Sequence, residues 1–152
     1  MVWMRDPWHF DGGLIVLEKP SGPGDISKIG FTHAGFWIQF FNIPFMCMNR
    51  RMARMMAEIL GTVVEIPAES KDCWGRFLRV KVASGVTKLF RRAVKMRLEE
   101  FNMTVVAPSR YERLPDFCFT CGEISYSLCD CYNDEAKKRA LKGEYTKYGF
   151  WL

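Results

Sequence analysis

The chain has 152 residues, of which 49% are hydrophobic and 14% aromatic, and its formal net charge is +5. This length and composition suit one globular domain, or one small domain with an added module. They exclude a disordered tail, a collagen-like repeat and a small disulfide-rich protein. The positive charge is concentrated in residues 71–113, which contain 11 basic and 4 acidic side chains.

The first part of the chain predicts two strands separated by a loop. Residues 14–17 form a short apolar run typical of a buried strand, and the glycine- and proline-rich residues 20–32 are typical of a loop. The aromatic run 36–41 predicts the second strand. The most apolar stretch, residues 35–48, is too short and too polar to cross a membrane.

A helix and two strands are predicted next. Asn49 is a suitable N-cap for a helix whose apolar residues share one face, and Gly61 predicts the end of this helix. Residues 62–66 are rich in β-branched side chains and predict a strand. In residues 76–82 the side chains alternate, which predicts a strand with one apolar face. Its opposite face has one aromatic and two basic side chains, namely Phe77, Arg79 and Lys81.

Residues 90–101 are compatible with two structures. Their apolar residues include a helical spacing, but residues 94–99 also alternate between apolar and charged side chains, and residues 103–107 are β-prone. We favour a hairpin over a helix. Near the C-terminus, Asn133 or Asp134 predicts the start of a short basic helix that Gly143 ends.

Four of the six cysteines lie within 14 residues, in the pattern C-x2-C-x7-C-x-C. They are Cys118, Cys121, Cys129 and Cys131. No secretory signal is recognised, so we expect a reducing compartment, the nucleus or the cytoplasm, in which thiols stay free or bind metal. Two cysteines separated by two residues can bind one zinc ion from a tight turn, and Gly122 relieves the backbone strain of that turn. Two further ligands would complete the tetrahedral coordination. The alternative is a set of reduced thiols, some of them buried; the isolated Cys47 and Cys73 are expected to be such thiols.

The run Tyr111-Glu-Arg-Leu-Pro-Asp-Phe-Cys-Phe-Thr-Cys-Gly122, followed by Cys131, resembles the plant zinc knuckle CX2CX4HX4C. In that family the knuckle follows a DUF4283 domain, in retroelement-derived Gag-like proteins and in the first reading frames of LINE elements. Other motifs of this chain are similar to motifs of that domain: Pro7-Trp-His-Phe-Asp-Gly12, Phe36-Trp-Ile-Gln39 and Gly75-Arg-Phe-Leu-Arg-Val-Lys-Val82. The resemblance covers residues 3–131.

The resemblance implies one Zn²⁺ site with an altered set of ligands. Residue by residue, the knuckle pattern assigns Cys118, Cys121 and Cys131 as ligands, but Tyr126 is present where the family has a histidine. Tyrosine is not a usual zinc ligand. Cys129, three positions later, is therefore the candidate for the fourth ligand, although it requires a different loop path.

The order strand, helix, strand, strand within residues 36–107 resembles half of an RNA-recognition domain. We therefore expect an α+β protein with an RRM-like (ferredoxin-like) partial sheet and a helix, followed by a small zinc-knuckle module and a short C-terminal helix. The expected domains are an N-terminally shortened DUF4283-like domain at 1–110, a zinc-knuckle-like module at 111–132 and a tail with a short helix at 133–152.

Exposed aromatic side chains of such sheets stack on bases, and nearby basic side chains contact phosphates. The candidate residues for these contacts are Phe77, Arg79, Lys81, Lys88, Arg91 and Arg92. The alternative interpretation is that Phe77 packs under a missing element and that the basic side chains merely solvate an exposed face.

The sequence has two histidines, neither in a recognisable catalytic motif, and no glycine-rich phosphate loop, so we expect no enzyme activity. The expected function is that of a non-catalytic zinc-knuckle protein of retroelement origin that binds single-stranded RNA or DNA. Self-association is left open, and no membrane partner is expected. The alternative is a metal-free structural or protein-interaction remnant of such a protein.

Overall fold

The computed structural model describes residues 7–20, 22–68, 76–124 and 128–143. Over these residues the protein is a mixed α+β molecule, which confirms the class expected from the sequence. Its strands are β1 (Trp8–Phe10), β2 (Gly13–Ile15), β3 (His33–Phe40), β4 (Thr62–Glu65), β5 (Leu78–Gly85), β6 (Ala93–Leu98) and β7 (Met103–Tyr111). Its helices are α1 (Arg50–Leu60) and α2 (Asp134–Leu141). Cys73 and Tyr126 lie outside the described residues.

The main sheet has five antiparallel strands in the order β4-β5-β3-β7-β6, and β1 pairs with β2 in a separate hairpin. The central strand β3 aligns Phe36 with Val82 of β5 and Ile38 with Tyr111 of β7. Strands β6 and β7 form a hairpin whose turn contains Asn102 at a φ of 45°. The hairpin favoured for this region is therefore confirmed.

One face of the main sheet packs against α1 and forms the hydrophobic core. Alternate residues of β3 and β5 are almost completely buried on this face: Phe36, Ile38, Phe40, Leu78, Val80 and Val82. Helix α1 contributes Met52 and Met56 to the same core. The loop before β6 contributes Phe90, which makes edge-to-face contacts with Phe36 and Tyr111 at centroid distances of 5.4 and 4.7 Å. Full burial of each large apolar side chain contributes about 1.5–3 kcal/mol.

Both ends of α1 are where the sequence predicts them. The side chain of Asn49 accepts a hydrogen bond from the backbone N–H of Met52 at 2.8 Å and caps the helix. The helix ends at Gly61, but not through the left-handed conformation typical of a helix-ending glycine, because its φ is 168°. Glycine is needed there because a Cβ atom would lie 2.3 Å from the carbonyl oxygen of Ala83 on β5.

Strand β2 and helix α2 lie at the periphery of the fold. Strand β2 is shorter than the predicted strand 14–17. Helix α2 starts at Asp134 as predicted, and its Leu141 is 71% exposed. No helix in the part of the chain that the structure describes has the length and apolar character needed to cross a membrane.

Candidate metal centre and candidate nucleic-acid interface

The first two cysteines of the cluster lie in a tight turn after β7. An isolated β-bridge pairs Phe117 with Ile124 on either side of the turn. The backbone N–H of Cys118 donates to the carbonyl of Glu123 at 2.9 Å, and that of Gly122 donates to the carbonyl of Cys118 at 2.8 Å. Gly122 has a φ of 81°, a conformation that favours glycine, so its predicted role in the turn is confirmed.

The turn also packs against the rest of the protein. The backbone N–H of Asp116 donates to the carbonyl of Gly12 in the β1–β2 hairpin at 3.0 Å. Leu114, Phe117 and Ile124 are partly buried against the main core. The position of the turn is therefore determined by packing as well as by any metal, unlike that of an isolated zinc finger, which is unfolded without zinc.

Three thiols are close enough to bind one metal ion. The Sγ atoms of Cys118, Cys121 and Cys131 all lie within 4.8 Å of one another. Cys118 and Cys131 are buried, and Cys121 is partly exposed. Zinc–sulfur bonds of about 2.3 Å in tetrahedral geometry place sulfur atoms about 3.8 Å apart. The upper limit of 4.8 Å on the separations of the three thiols is compatible with this spacing, and three of the four predicted ligands are brought together.

The protonation of the cluster depends on the balance between burial and hydrogen bonding. Burial alone would raise the pKa of the Cys118 thiol, but hydrogen bonds from the backbone N–H groups of Cys121 and Thr120 and with the thiols of Cys121 and Cys131 together lower that pKa. Burial, together with hydrogen bonds with the thiols of Cys118 and Cys121 and the charge of Cys118, raises the pKa of the Cys131 thiol to about 11, against the opposing effect of a backbone hydrogen bond from Asn133. Because zinc binds thiolates, the lowered pKa of Cys118 favours its role as a ligand.

Cys129, the predicted fourth ligand, is not part of the three-thiol cluster in the part of the chain that the structure describes. Cys129 is exposed and lies in the turn Leu128–Asp130. Its backbone carbonyl accepts a hydrogen bond from the Nζ of Lys137, which ties this turn to α2. Tyr126, at the position of the family's histidine, lies outside the described residues.

The second candidate site is the face of the main sheet opposite α1. The strand registers place Trp37 and Gln39 of β3 on this face, since both alternate with buried core residues. The same alternation places five basic side chains there, from β5, β6 and β7: Arg79, Lys81, Lys95, Arg97 and Arg110. This face therefore combines aromatic and basic side chains.

A polar network occupies the centre of this basic face. The Nε and Nη2 atoms of Arg79 donate to the two carboxylate oxygens of Glu112 at 2.7 Å each, and Nε2 of Gln39 donates to Glu112 at 2.7 Å. The guanidinium of Arg79 lies 4.0 Å from the ring centroid of Trp37. Lys81 has its Nζ 6.0 Å from the same centroid and is only 4% exposed. Arg79 is therefore neutralised by Glu112, and Lys81 presents little surface to a ligand.

The other four predicted nucleic-acid-binding residues have different environments. Phe77 is half-buried against Phe41, which follows the neighbouring strand β3, and their ring centroids are 5.3 Å apart. Lys88 and Arg91 are exposed in the loop between β5 and β6, and Arg92 is half-buried. The predicted residues therefore do not form one open basic surface.

Sequence reasoning missed Glu112, Gln39 and Arg110 as parts of this face. Residues 103–111 alternate along β7, and that alternation is a signal for an outward-facing Arg110. No local signal exists for Glu112, because its partners Gln39 and Arg79 are 73 and 33 residues away in the chain.

Comparison of the chain with protein-family models, with curated proteins and with solved structures finds no match. The resemblance to the DUF4283 and zinc-knuckle families therefore stays a prediction from the sequence motifs.

Proposed function

We propose that this chain is a non-catalytic protein of retroelement origin that binds single-stranded nucleic acid and has a zinc-knuckle-like centre. The observation that supports the proposal most directly is the thiol cluster of Cys118, Cys121 and Cys131 within 4.8 Å. These are three of the four positions of the CX2CX4HX4C pattern, and a tight turn with a left-handed Gly122 joins the first two. The same observation supports membership of the DUF4283-associated family.

The strand order supports an RRM-like sheet as the platform. In chain order β3, α1, β4 and β5 are followed by β7, and β3 lies between β5 and β7 in space. A ferredoxin-like sheet has the same arrangement of its four strands, with a second helix before the last strand. In this chain β6 occupies that place in the sequence.

The charge distribution supports nucleic acid as the partner. Residues 71–113 have a net charge of +7, and basic side chains release counterions when they contact phosphates. Lys88 and Arg91 are exposed for such contacts. On the outer face of the sheet, the partly exposed ring of Phe41 offers a surface on which an unpaired base can stack.

Metal content tests the zinc centre. Protein purified without added metal should contain about one zinc ion per chain, since three thiolates provide most of a structural site. Cys118→Ser should abolish this zinc content, whereas Cys129→Ser is the matched control and should leave it unchanged. Wild-type protein without zinc would overturn the centre. Equal losses in the two variants would show that the three-thiol assignment is wrong.

Salt dependence tests the binding function. The affinity for single-stranded RNA or DNA should fall steeply with salt, with a logarithmic slope of about −0.7 for each phosphate that is neutralised. A duplex of the same sequence is the matched control and should bind more weakly, because its bases cannot stack on protein side chains. Absence of binding at low salt, or a flat salt dependence, would overturn the nucleic-acid function.

A metal-free protein-interaction role is the second candidate. A groove of about 410 Å³ lies between α1 and the end of β6, and its lining includes Met46, Met52, Met55 and Phe101. Met46 and Phe101 are 70% and 48% exposed. Methionine-rich surfaces adapt to different partners. Protein that lacks zinc and fails to bind nucleic acid, yet binds another protein at this groove, would favour this second role.

A further inference from the structure

A groove of about 580 Å³ lies where the chain leaves β3 at the edge of the basic region. Its lining comes from three segments: Phe41, Arg92, Ala93, Pro108, Ser109 and Arg110. Two arginines line it and no acidic residue does, and the other lining residues include an aromatic ring and a proline. This composition suits a ligand with a flat apolar part and negative charges nearby.

Backbone hydrogen bonds join the three segments that line the groove. The N–H of Phe41 donates to the carbonyl of Pro108 at 3.0 Å, and the N–H of Ser109 donates to the carbonyl of Arg92 at 2.8 Å. These hydrogen bonds hold the walls of the groove in place. A preformed site loses less conformational entropy on binding than a site that must be ordered.

The Phe41 ring is supported from the side by another ring. Phe77, which comes just before β5, contacts it at a centroid distance of 5.3 Å and an interplanar angle of 49°. Phe41 remains half-buried, so part of its ring is accessible. A ring fixed in this way provides a stacking surface, and stacking on an aromatic side chain is typical of proteins that bind single strands.

The charges around the groove match a phosphate backbone. Arg110 is exposed, and Arg92 is half-buried next to the exposed Arg91. No acidic residue is among the lining residues, although the carboxylate of Glu112, which is paired with Arg79, interacts with the charge of Arg110. Arginine binds phosphate oxygens with its planar fork of donors.

We propose that this groove binds one unpaired nucleotide of single-stranded nucleic acid, with the base stacked on Phe41 and the adjoining phosphates bound by Arg92 and Arg110. The inference rests on the proposed nucleic-acid function. In this proposal Phe41 stacks on the base, and Phe77, which the sequence alone assigns to base stacking, instead holds the Phe41 ring in place. A base inside a duplex is covered by its neighbours on both faces, so the groove selects unpaired bases. Since every base has a π-face, we expect weak sequence preference.

Phe41→Leu tests the stacking contact, because leucine keeps apolar volume but removes the ring. The probes are an oligouridine RNA, an oligothymidine DNA and an abasic DNA of equal length. Affinity for the two base-containing probes should fall about tenfold, while affinity for the abasic probe stays unchanged. Phe41→Trp should retain full affinity. Phe45→Leu is the matched control, because Phe45 is 63% exposed and lies outside the groove.

Arg110→Ala tests the phosphate contact. It should weaken binding of all three probes alike and reduce the salt slope by about 0.7, the value for one phosphate of a single strand. Arg54→Ala is the matched control, since Arg54 is an exposed arginine of α1 outside the groove lining. Equal effects of the two arginine variants would show a diffuse electrostatic attraction and would overturn the phosphate contact.

The outcomes separate this inference from the proposed function. If the wild-type protein binds none of the probes at low salt, both are overturned. If it binds and Phe41→Leu keeps full affinity, the groove assignment is overturned while the nucleic-acid function stands. If Phe41→Leu also loses affinity for the abasic probe while Phe41→Trp does not, stacking is overturned, because the loss does not depend on the base.

Discussion

Replacement of Glu112 by glutamine tests the polar network on the basic sheet face. Glu112 accepts hydrogen bonds from Arg79 and Gln39 at 2.7 Å. Glutamine has nearly the same size but no negative charge, and one of its two terminal groups is a donor. Arg79 therefore loses its ion pair and one of its two hydrogen bonds, while the packing of the side chain is kept.

The magnitude follows from the exposure of the two partners. The side chains of Arg79 and Glu112 are 38% and 23% exposed. Exposed ion pairs contribute about 0.2–1 kcal/mol, whereas hydrogen bonds to charged groups contribute about 1.5–3 kcal/mol. The Arg79–Glu112 pair lies between these cases. We expect Glu112→Gln to lower the free energy of unfolding at neutral pH by about 1–2 kcal/mol.

The pH dependence of this effect has a definite sign. The hydrogen bond from Arg79 lowers the pKa of Glu112 below its ordinary value of 4.5, against the opposing effect of burial, and Gln39 and the charge of Arg110 lower it further. A carboxyl group with a lowered pKa in the folded state contributes stability that is fully present above the unfolded value. This stability is lost as the pH falls from 4.5 through the folded-state pKa. The difference between wild type and Glu112→Gln should therefore shrink in acid.

Urea unfolding at neutral pH and at a series of pH values below 4.5 measures this difference. Glu58→Gln is the matched control, because Glu58 is exposed on α1 and its replacement should change stability little. The reasoning would be refuted if Glu112→Gln were as stable as the wild type at neutral pH. It would also be refuted if the difference persisted undiminished in acid.

The remaining predictions concern the helix ends and the metal. Gly61→Ala should lower the free energy of unfolding by about 1–3 kcal/mol, because the new Cβ atom would lie 2.3 Å from the carbonyl oxygen of Ala83. Urea unfolding measures this loss, and unchanged stability would contradict it. Asn49→Ala should lower the free energy of unfolding by about 1 kcal/mol, because the backbone N–H of Met52 loses its capping hydrogen bond. A decrease of less than a few tenths of a kcal/mol would show that the cap does not stabilise the helix. Chelation of zinc should speed amide hydrogen exchange in residues 116–124 but not in β3, because the centre of the sheet is packed independently of the metal. Equal exchange rates in residues 116–124 before and after chelation would refute a structural role for zinc.

Local sequence signals were sufficient for most of the secondary structure. Asn49 satisfies the first N–H groups of α1 through a contact three residues away, and alternation along residues 76–82 marks the buried face of β5. The hairpin of β6 and β7 follows from two β-prone segments separated by a short turn. The turn between Cys118 and Cys121 needs only their spacing and Gly122. Each of these features depends on residues that are close in the chain.

The tertiary structure alone decided which side chains are available for binding. Strand order and register bring Glu112 to Arg79, which neutralises a side chain that the sequence presents as a free cation. Packing buries Lys81 and places Phe77 against Phe41, and the exposed Cys129 is not among the three clustered thiols. The physical reason is that propensity and spacing act over a few residues, whereas burial and charge pairing depend on contacts between residues far apart in the chain.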